Sequence, residues 1–252
     1  NKLDIQNFTS GPVTNADIEI SNFIKERINE KYPNVSWEFL SEEDNLKNKD
    51  RFINSKWIWI IDPLDGTKDF INGTGEYATH LALAYENKII IGFVLIPSKQ
   101  ELWINIEGQE TWCESRGLRK EIIPENSCKK LDQLTILRSK SHYHQEFQFL
   151  LEKLNPKNVI GMGSIGYKIS SILRGDADLY ISYSLPNGSS PKDWDMAAPL
   201  AIIDGAGGYF TDLDGRKLNF FKDNYEQKGI LIASMNSNHK EICNEISRIV
   251  NT

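Results

Sequence analysis

Trp57-Ile58-Trp59-Ile60-Ile61-Asp62-Pro63-Leu64-Asp65-Gly66-Thr67-Lys68-Asp69-Phe70 is the stretch from which this chain is read. Trp57 to Ile61 form an apolar run, rich in aromatic and β-branched side chains and too short for a free-standing helix. Such a run reads as a strand buried on both faces. It stops at Asp62-Pro63. A residue before proline is driven to extended geometry, so Asp62 is expected at the strand's last position. Pro63 brings no N–H, and Gly66 permits a tight turn. The strand therefore delivers two carboxylates, Asp62 and Asp65, into one turn. Thr67 then opens a short helix, and the free N–H groups of a helix start favour an anion such as phosphate. Carboxylates beside an anion site repel that anion unless cations lie between them. The stretch points to a magnesium-dependent phosphatase.

Two further acidic points stand at element ends, Glu42 after the short strand Trp37–Leu40 and Asp195 at the head of an Asp195–Asp204 helix. If all four carboxylates converge, each like-charged pair ~4 Å apart costs about 4 kcal/mol at an effective dielectric of ~20. Several such pairs exceed the ~5–15 kcal/mol stability of a typical domain, and divalent cations resolve the conflict. An all-oxygen set with no His or Cys beside it points to Mg²⁺, Mn²⁺ or Ca²⁺ rather than zinc. Two such ions ~3.5–4 Å apart clamp the attacking and leaving oxygens of a phosphoryl transfer. Plainer roles compete for each residue: Asp62 and Asp65 as turn formers, Glu42 as a solvated acid, Asp195 as an N-cap, Asp17 as a capping-box carboxylate facing Thr14. Asp212-Leu213-Asp214-Gly215 reads as a hairpin turn. His142 and His144, two apart, suit a strand face and solvent better than a metal. A calcium hand is excluded, because position twelve counted from Asp62 is Gly73.

Around this centre the chain sorts into elements. Residues 1–13 read as polar and turn-like. A helix entered at Thr14 carries an apolar stripe of Ile20, Phe23, Ile24 and Ile28. Tyr77–Tyr85, Ile89–Ile96 and Gln100–Ile104 read as antiparallel strands joined by tight turns. Polar residues 114–130 mark a lobe boundary. Strands then alternate with helices at Tyr143–Leu154, Ser164–Arg174, Asp195–Asp204 and Asn238–Val250, which indicates layered α and β structure. Pro199 falls inside the third of these helices.

The chain has 252 residues, 40% hydrophobic and 25% charged, with a net charge of −6. The acidic balance argues against a nucleic-acid polymer as partner. No apolar run approaches the ~20 residues of a membrane span. Three widely spaced cysteines without a CxxC pair, and no signal peptide in view, fit a reduced, cytoplasmic protein.

Asp62-Pro63-Leu64-Asp65-Gly66-Thr67 together with Trp194-Asp195-Met196-Ala197-Ala198 resembles the inositol monophosphatase superfamily. Pro12-Val13-Thr14-Asn15-Ala16-Asp17 and Ser41-Glu42-Glu43 fall upstream in that family's order. Lys68 after Gly66-Thr67, Ser139-Lys140-Ser141-His142, and Gly163-Ser164 with Lys168 are most similar to the CysQ-like 3'(2'),5'-bisphosphate nucleotidases. The run Ile165-Gly166-Tyr167 departs from the usual pattern. The resemblance implies an α/β, five-layered αβαβα sandwich of the inositol monophosphatase and fructose bisphosphatase type. It implies two lobes, 1–125 with most metal ligands and 126–252 with Asp195 and the nucleotide-side residues. It implies two to three Mg²⁺ ions and inhibition by lithium. Glu42, Asp62 and the Leu64 carbonyl would hold one ion, Asp62, Asp65 and Asp195 a second, and Glu42 with waters a third. Asp17 and Thr67, with Glu42, would activate the attacking water. Gly66, Thr67 and the metal ligands Leu64, Asp65 and Asp195 would surround the scissile phosphate. Lys68, Ser139, His142, Ser164 and Lys168 would meet the nucleotide and its second phosphate. The implied reaction removes the 3'-phosphate of 3'-phosphoadenosine 5'-phosphate, in a monomer or homodimer. An inositol or sugar phosphatase of the same fold, or a non-catalytic metal- or nucleotide-binding protein, are the competing readings.

Overall fold

A computed structural model describes residues 4–8, 11–44, 52, 55–122, 128–141 and 143–251. The N-terminal segment, expected to be turn-like, is a hairpin of β1 (Ile5–Phe8) and β2 (Gly11–Thr14). It leads into α1 (Asn15–Lys31), which Thr14 caps. Ala16 N donates to Thr14 Oγ1, and the Asp17 side chain accepts from the Thr14 backbone, a complete capping box. The expected apolar stripe is weaker than its spacing suggests. Ile20, Ile24 and Ile28 are half-buried, Phe23 is exposed, and the fully buried residues of α1 are Asp17 and Ser21.

β3 (Glu38–Ser41) pairs parallel with β4 (Trp57–Asp65). β4 does not end at Asp62. It runs through Pro63 to Asp65, with a register shift against its neighbour between Asp62 and Asp65. The irregularity spares Pro63 the ladder bond it cannot donate. Side chains replace the lost pairing: Leu64 N donates to Asp62 Oδ1 (3.1 Å) and Thr79 Oγ1 to the Pro63 carbonyl (2.9 Å). After α2 (Thr67–Ile71), the strands β5 (Ala78–Tyr85), β6 (Lys88–Ile96) and β7 (Glu101–Ile106) pair antiparallel as expected. The polar stretch after them holds a further hairpin, β8 (Trp112–Ser115) and β9 (Leu118–Glu121). Its period-two signal is hidden because every residue of β9 is exposed at a sheet edge. These seven strands form one sheet in sequence order.

The second sheet has the order β11-β10-β12-β14-β13. It comprises β10 (Thr135–Ser139), β11 (Asn158–Met162), β12 (Leu179–Tyr183), β13 (Tyr209–Asp212) and β14 (Ile230–Ser234). The helices between them are α3 (Gln145–Leu154), α4 (Ile165–Arg174), α5 (Asp193–Gly205) and α6 (His239–Val250). α4 and α5 lie between the sheets, and α5 is apolar nearly all round because both its faces are covered. α3 and α6 cover the far side of the second sheet through Phe147, Leu150, Ile242 and Ile246. With α1 outside the first sheet, the layers run αβαβα. Two helix starts differ from expectation. His144 is the N-cap of α3, half-buried, with Nε2 3.1 Å from the Tyr183 carbonyl. α5 begins at Asp193 with Lys192 as N-cap, so Asp195 is not the cap and Pro199 lies in the helix interior. The Asp212–Gly215 turn is as expected, with Asp212 Oδ1 accepting from Asp214 N and Arg216 N.

Under α6 lies a histidine with a fixed tautomer. Thr211 Oγ1 donates its one proton to the Asp212 carbonyl, so it accepts from His239 Nε2 (2.9 Å), and His239 Nδ1 accepts from Ser234 Oγ (2.8 Å). Tyr209 stacks on the ring and Cys243 closes the pocket. Burial lowers the His239 pKa to about 4. A base held neutral in the folded state stabilises the fold above its unfolded pKa, and that contribution is lost as pH falls from ~6.5 through the folded value. The loss is on the order of 3 kcal/mol for a group shifted to about 4. His239→Gln is expected to flatten the denaturant-unfolding free energy between about pH 6.5 and 4. An unchanged slope assigns acid lability elsewhere.

Candidate active site

The cleft between the sheets has a volume of about 530 Å³, and its walls include Glu42, Asp65, Thr67, Asp195, Ser139 and Lys168. β4 supplies Asp62, Leu64 and Asp65, the end of β3 leads into Glu42, α1 supplies Asp17, and the first turn of α5 supplies Asp195. Asp62 is fully buried, and its Oδ2 has no hydrogen-bond partner of ordinary geometry. Burial first, then the charges of Glu42, Asp65 and Asp195, raises Asp62 well above the carboxylate range. Burial and then Asp65 push Asp195 up to about 7. Glu42 is open to the cleft along part of its side chain yet crowded by protein. Desolvation, then Asp195 and Glu43, raise its pKa. Carboxylates raised together in this way fit a divalent cation in place of the protons.

Asp17 bridges two elements. Its Oδ2 accepts from Thr14 N (2.8 Å) and Thr14 Oγ1 (2.6 Å), and its Oδ1 accepts from Thr67 Oγ1 (3.2 Å). Thr67 Oγ1 lies also 3.0 Å from the Leu64 carbonyl, so one hydroxyl proton has two acceptors to choose between. Gly66, at φ 90, caps α2 without a side chain, leaving the first amides of that helix without a side-chain partner.

Asp65 reaches across to the start of α4. Its Oδ2 accepts from Ser164 Oγ (2.7 Å), Ile165 N (2.5 Å) and Gly166 N (3.2 Å), and so caps α4. The Ser164 proton is thereby committed to Asp65, and Ser164 holds a strained φ of 27. Lys168 is buried rather than a solvated charge. Its Nζ donates to the Gly163 carbonyl (3.0 Å) and Ser139 Oγ (3.3 Å) and lies over the Tyr180 ring. Burial lowers its pKa to about 8, partly opposed by Asp65 and Asp69. Lys68 is exposed, and Lys140 is paired with Asp69 (2.9 Å) and Glu76 (2.7 Å). His142 lies outside the described residues.

The expectation of a site without histidine is not met. His80 on β5 is fully buried, faces Asp62 in the strand register, and stands 3.4 Å from Asp65 Oδ2 through Nε2. Asp62, Asp65 and His80 each offer a ligand atom, all within 4.8 Å of one another. The sequence held one signal, a histidine in the mostly apolar run of β5. Only the pairing of β5 with β4 says which carboxylate that residue meets.

Removing a metal from such a site has a signed consequence. Carboxylates whose folded pKa is raised stabilise the metal-free protein most below their unfolded pKa, ~4, and that contribution is lost as pH rises through the folded values, about 7 for Asp195. A bound divalent cation removes this penalty. The gain in Tm from saturating Mg²⁺ over EDTA is expected to grow from about pH 5.5 to about pH 8. His239 and Asp193 titrate in both samples, so the difference isolates the cluster. A gain independent of pH would separate cation binding from these carboxylates.

The sequence model of the inositol monophosphatase family matches residues 1–251. The 3'(2'),5'-bisphosphate nucleotidase CysQ of Salmonella typhimurium is 32% identical over 211 residues, covering 83% of this chain and 79% of that protein. A crystal structure of staphylococcal IMPase-I with products superposes with a TM-score of 0.77 at 20% identity, over 97% of this chain and 85% of that one. An IMPase/NADP phosphatase complexed with Mg²⁺ and phosphate gives 0.78 at 21% identity, over 97% and 86%. Both superpositions support the layered fold. Among the described residues no helix is long and apolar enough to cross a membrane.

Proposed function

We propose, from the premise that this chain belongs to the inositol monophosphatase family of metal-dependent phosphatases, that it removes the 3'-phosphate of 3'-phosphoadenosine 5'-phosphate. The observation that carries a hydrolytic role is the Asp17–Thr67 hydrogen bond beside the buried carboxylates. Glu42, Asp62, the Leu64 carbonyl, Asp65 and Asp195 are the residues to hold two to three Mg²⁺ ions. The first lobe, 1–125, supplies all of these but Asp195, which comes from the second, 126–252. Bound there, Mg²⁺ polarises phosphoryl oxygens and acidifies water.

The chain's own groups do the rest. Asp17 takes the Thr67 hydroxyl proton as Thr67 Oγ1 takes one from the attacking water, with Glu42 near by. The Gly66 and Thr67 amides, with Leu64, Asp65 and Asp195 around them, seat the scissile phosphate. Ser139, Lys168 and Lys68 meet the second phosphate, His142 is assigned to the same subsite, and Ser164 acts by fixing Asp65. The reaction belongs in the cytoplasm, where the unpaired Cys113, Cys128 and Cys243 stay reduced. One observation favours an inositol or sugar phosphatase instead, namely that Lys168 already has internal partners. Phosphate release from a panel of nucleotide bisphosphates, inositol phosphate and fructose bisphosphate with Mg²⁺ decides between them. The bisphosphate nucleotide is expected to rank first. If inositol phosphate leads, the second reading replaces the first.

A further inference from the structure

His80 is a buried ionisable group at the cluster, and the reaction above gives it no task. It sits on β5 as the register partner of Asp62, with no exposed surface, and neither ring nitrogen makes a hydrogen bond of ordinary length and angle. The ring lies against the start of α4, where a Cβ on Gly166 would fall 2.2 Å from Nε2. No side chain and no room for one stand between ring and helix on that side.

The two nitrogens face different carboxylates. Nε2 is 3.4 Å from Asp65 Oδ2, an oxygen that already accepts from Ser164, Ile165 and Gly166. Nδ1 is 3.9 Å from Asp62 Oδ2, which has no partner, whereas Asp62 Oδ1 is satisfied by Leu64 N. A hydrogen bond between nitrogen and oxygen needs ~2.7–3.2 Å, so at 3.9 Å none joins Nδ1 to Asp62 Oδ2, and the Trp194 backbone is the other polar group within reach of the ring. An unsatisfied buried polar atom is destabilising, and here two face each other. A separation of 3.9 Å is too long for a shared proton but suits a shared ion. Metal–nitrogen and metal–oxygen bonds of ~2.0–2.2 Å span it at an open angle.

We propose that His80 Nδ1 is a nitrogen ligand of the metal centre, joining Asp62 Oδ2 on one divalent ion, so that this protein takes a first-row transition ion such as Mn²⁺ in preference to Mg²⁺ at that position. The proposal rests on the metal-dependent reading above and narrows it. Magnesium takes oxygen ligands and binds imidazole poorly, whereas transition ions accept imidazole readily. The nitrogen donor therefore adds affinity for one class of ion and almost none for the other. Asp65 keeps its oxygen set, because its remaining Oδ1 is free of α4.

Pulsed EPR of the wild-type protein carrying substoichiometric Mn²⁺ tests this directly. The expected result is a nitrogen coupling on the Mn²⁺ signal that changes when histidine is labelled with ¹⁵N and disappears in His80→Asn. Calorimetry on the same two proteins is expected to show the Mn²⁺-to-Mg²⁺ affinity ratio falling about tenfold in His80→Asn, through Mn²⁺ alone. Bound Mn²⁺ without nitrogen coupling in the wild type overturns the proposal and leaves an all-oxygen metal centre standing. Failure of both Mn²⁺ and Mg²⁺ to bind overturns the metal reading itself. The wild-type spectrum decides even if His80→Asn does not fold.

Discussion

Asp17→Asn is expected to lower kcat by roughly 10²–10⁴ while the thermal melt stays near that of the wild type. The structure gives this substitution an unusual clarity. Asp17 accepts at both oxygens, from Thr14 on one side and from Thr67 on the other. Asparagine has one accepting oxygen. The capping box offers two donors to it, the Thr14 N–H and hydroxyl, so the amide oxygen turns there and the cap survives, since Asn caps about as well as Asp. The amide NH₂ then points at Thr67 Oγ1 and donates to it. The Thr67 proton is forced onto the Leu64 carbonyl, 3.0 Å away, which cannot take it up, so the hydroxyl has no base behind it when water must give up a proton. Stability and turnover are thereby separated in one residue. Measurement of kcat and of the melt on the same preparation checks both. Near-wild-type kcat in a folded variant would leave Asp17 a helix cap and nothing more.

The ratio of kcat/KM for 3'-phosphoadenosine 5'-phosphate to that for inositol monophosphate is expected to be at least ~100-fold. Charge-assisted hydrogen bonds contribute roughly 1.5–3 kcal/mol each, and two of them give about two decades. Lys168 is the anchor of this expectation. Its ammonium is fixed at the cleft wall by Gly163 and Ser139 and is fully desolvated, so a second phosphate meets a positive charge that needs no ordering. Lys68 is exposed and free to close over the ligand, whereas Lys140 is already held by Asp69 and Glu76. Lys168→Met keeps most of the buried stem and removes the charge. It is expected to narrow the ratio about tenfold or more while the Mg²⁺ dissociation constant is unchanged. The pH dependence has a definite sign. Lys168 is charged below its pKa of about 8 and neutral above it, so KM for the bisphosphate should rise above about pH 8 and KM for inositol monophosphate should not. Equal rates on the two substrates, or an unchanged ratio in Lys168→Met, would move the protein to the inositol phosphatase reading.

What could be read without coordinates was local. The run from Trp57 to Ile61 is a buried strand because its pattern allows nothing else at that length. Thr14 and Asp17 form a capping box because they stand three positions apart, and Gly175 stops α4 because it takes a left-handed conformation there (φ 82). Asp62 and Asp65 meet because four consecutive residues contain both. The hairpin β8–β9 escaped notice because exposed edge strands carry no apolar alternation.

What joined these parts was not local. The bond from Ile165 N to Asp65 spans a hundred residues and exists because α4 is packed between two sheets with its first turn aimed at β4. Lys168 is assigned to the second phosphate by resemblance, but nothing in its sequence says that it is stripped of water; it is buried because both faces of that layer are covered. His80 is a histidine beside Thr79 in a mostly apolar stretch of sequence, and the antiparallel register of β4 with β5 sets it against Asp62. The sequence alone determined which carboxylates and which hydroxyl are present, since those follow from composition and short spacing. The tertiary structure decided which charges are stripped of water and which atoms face one another, because burial and register depend on contacts between segments that no short window contains.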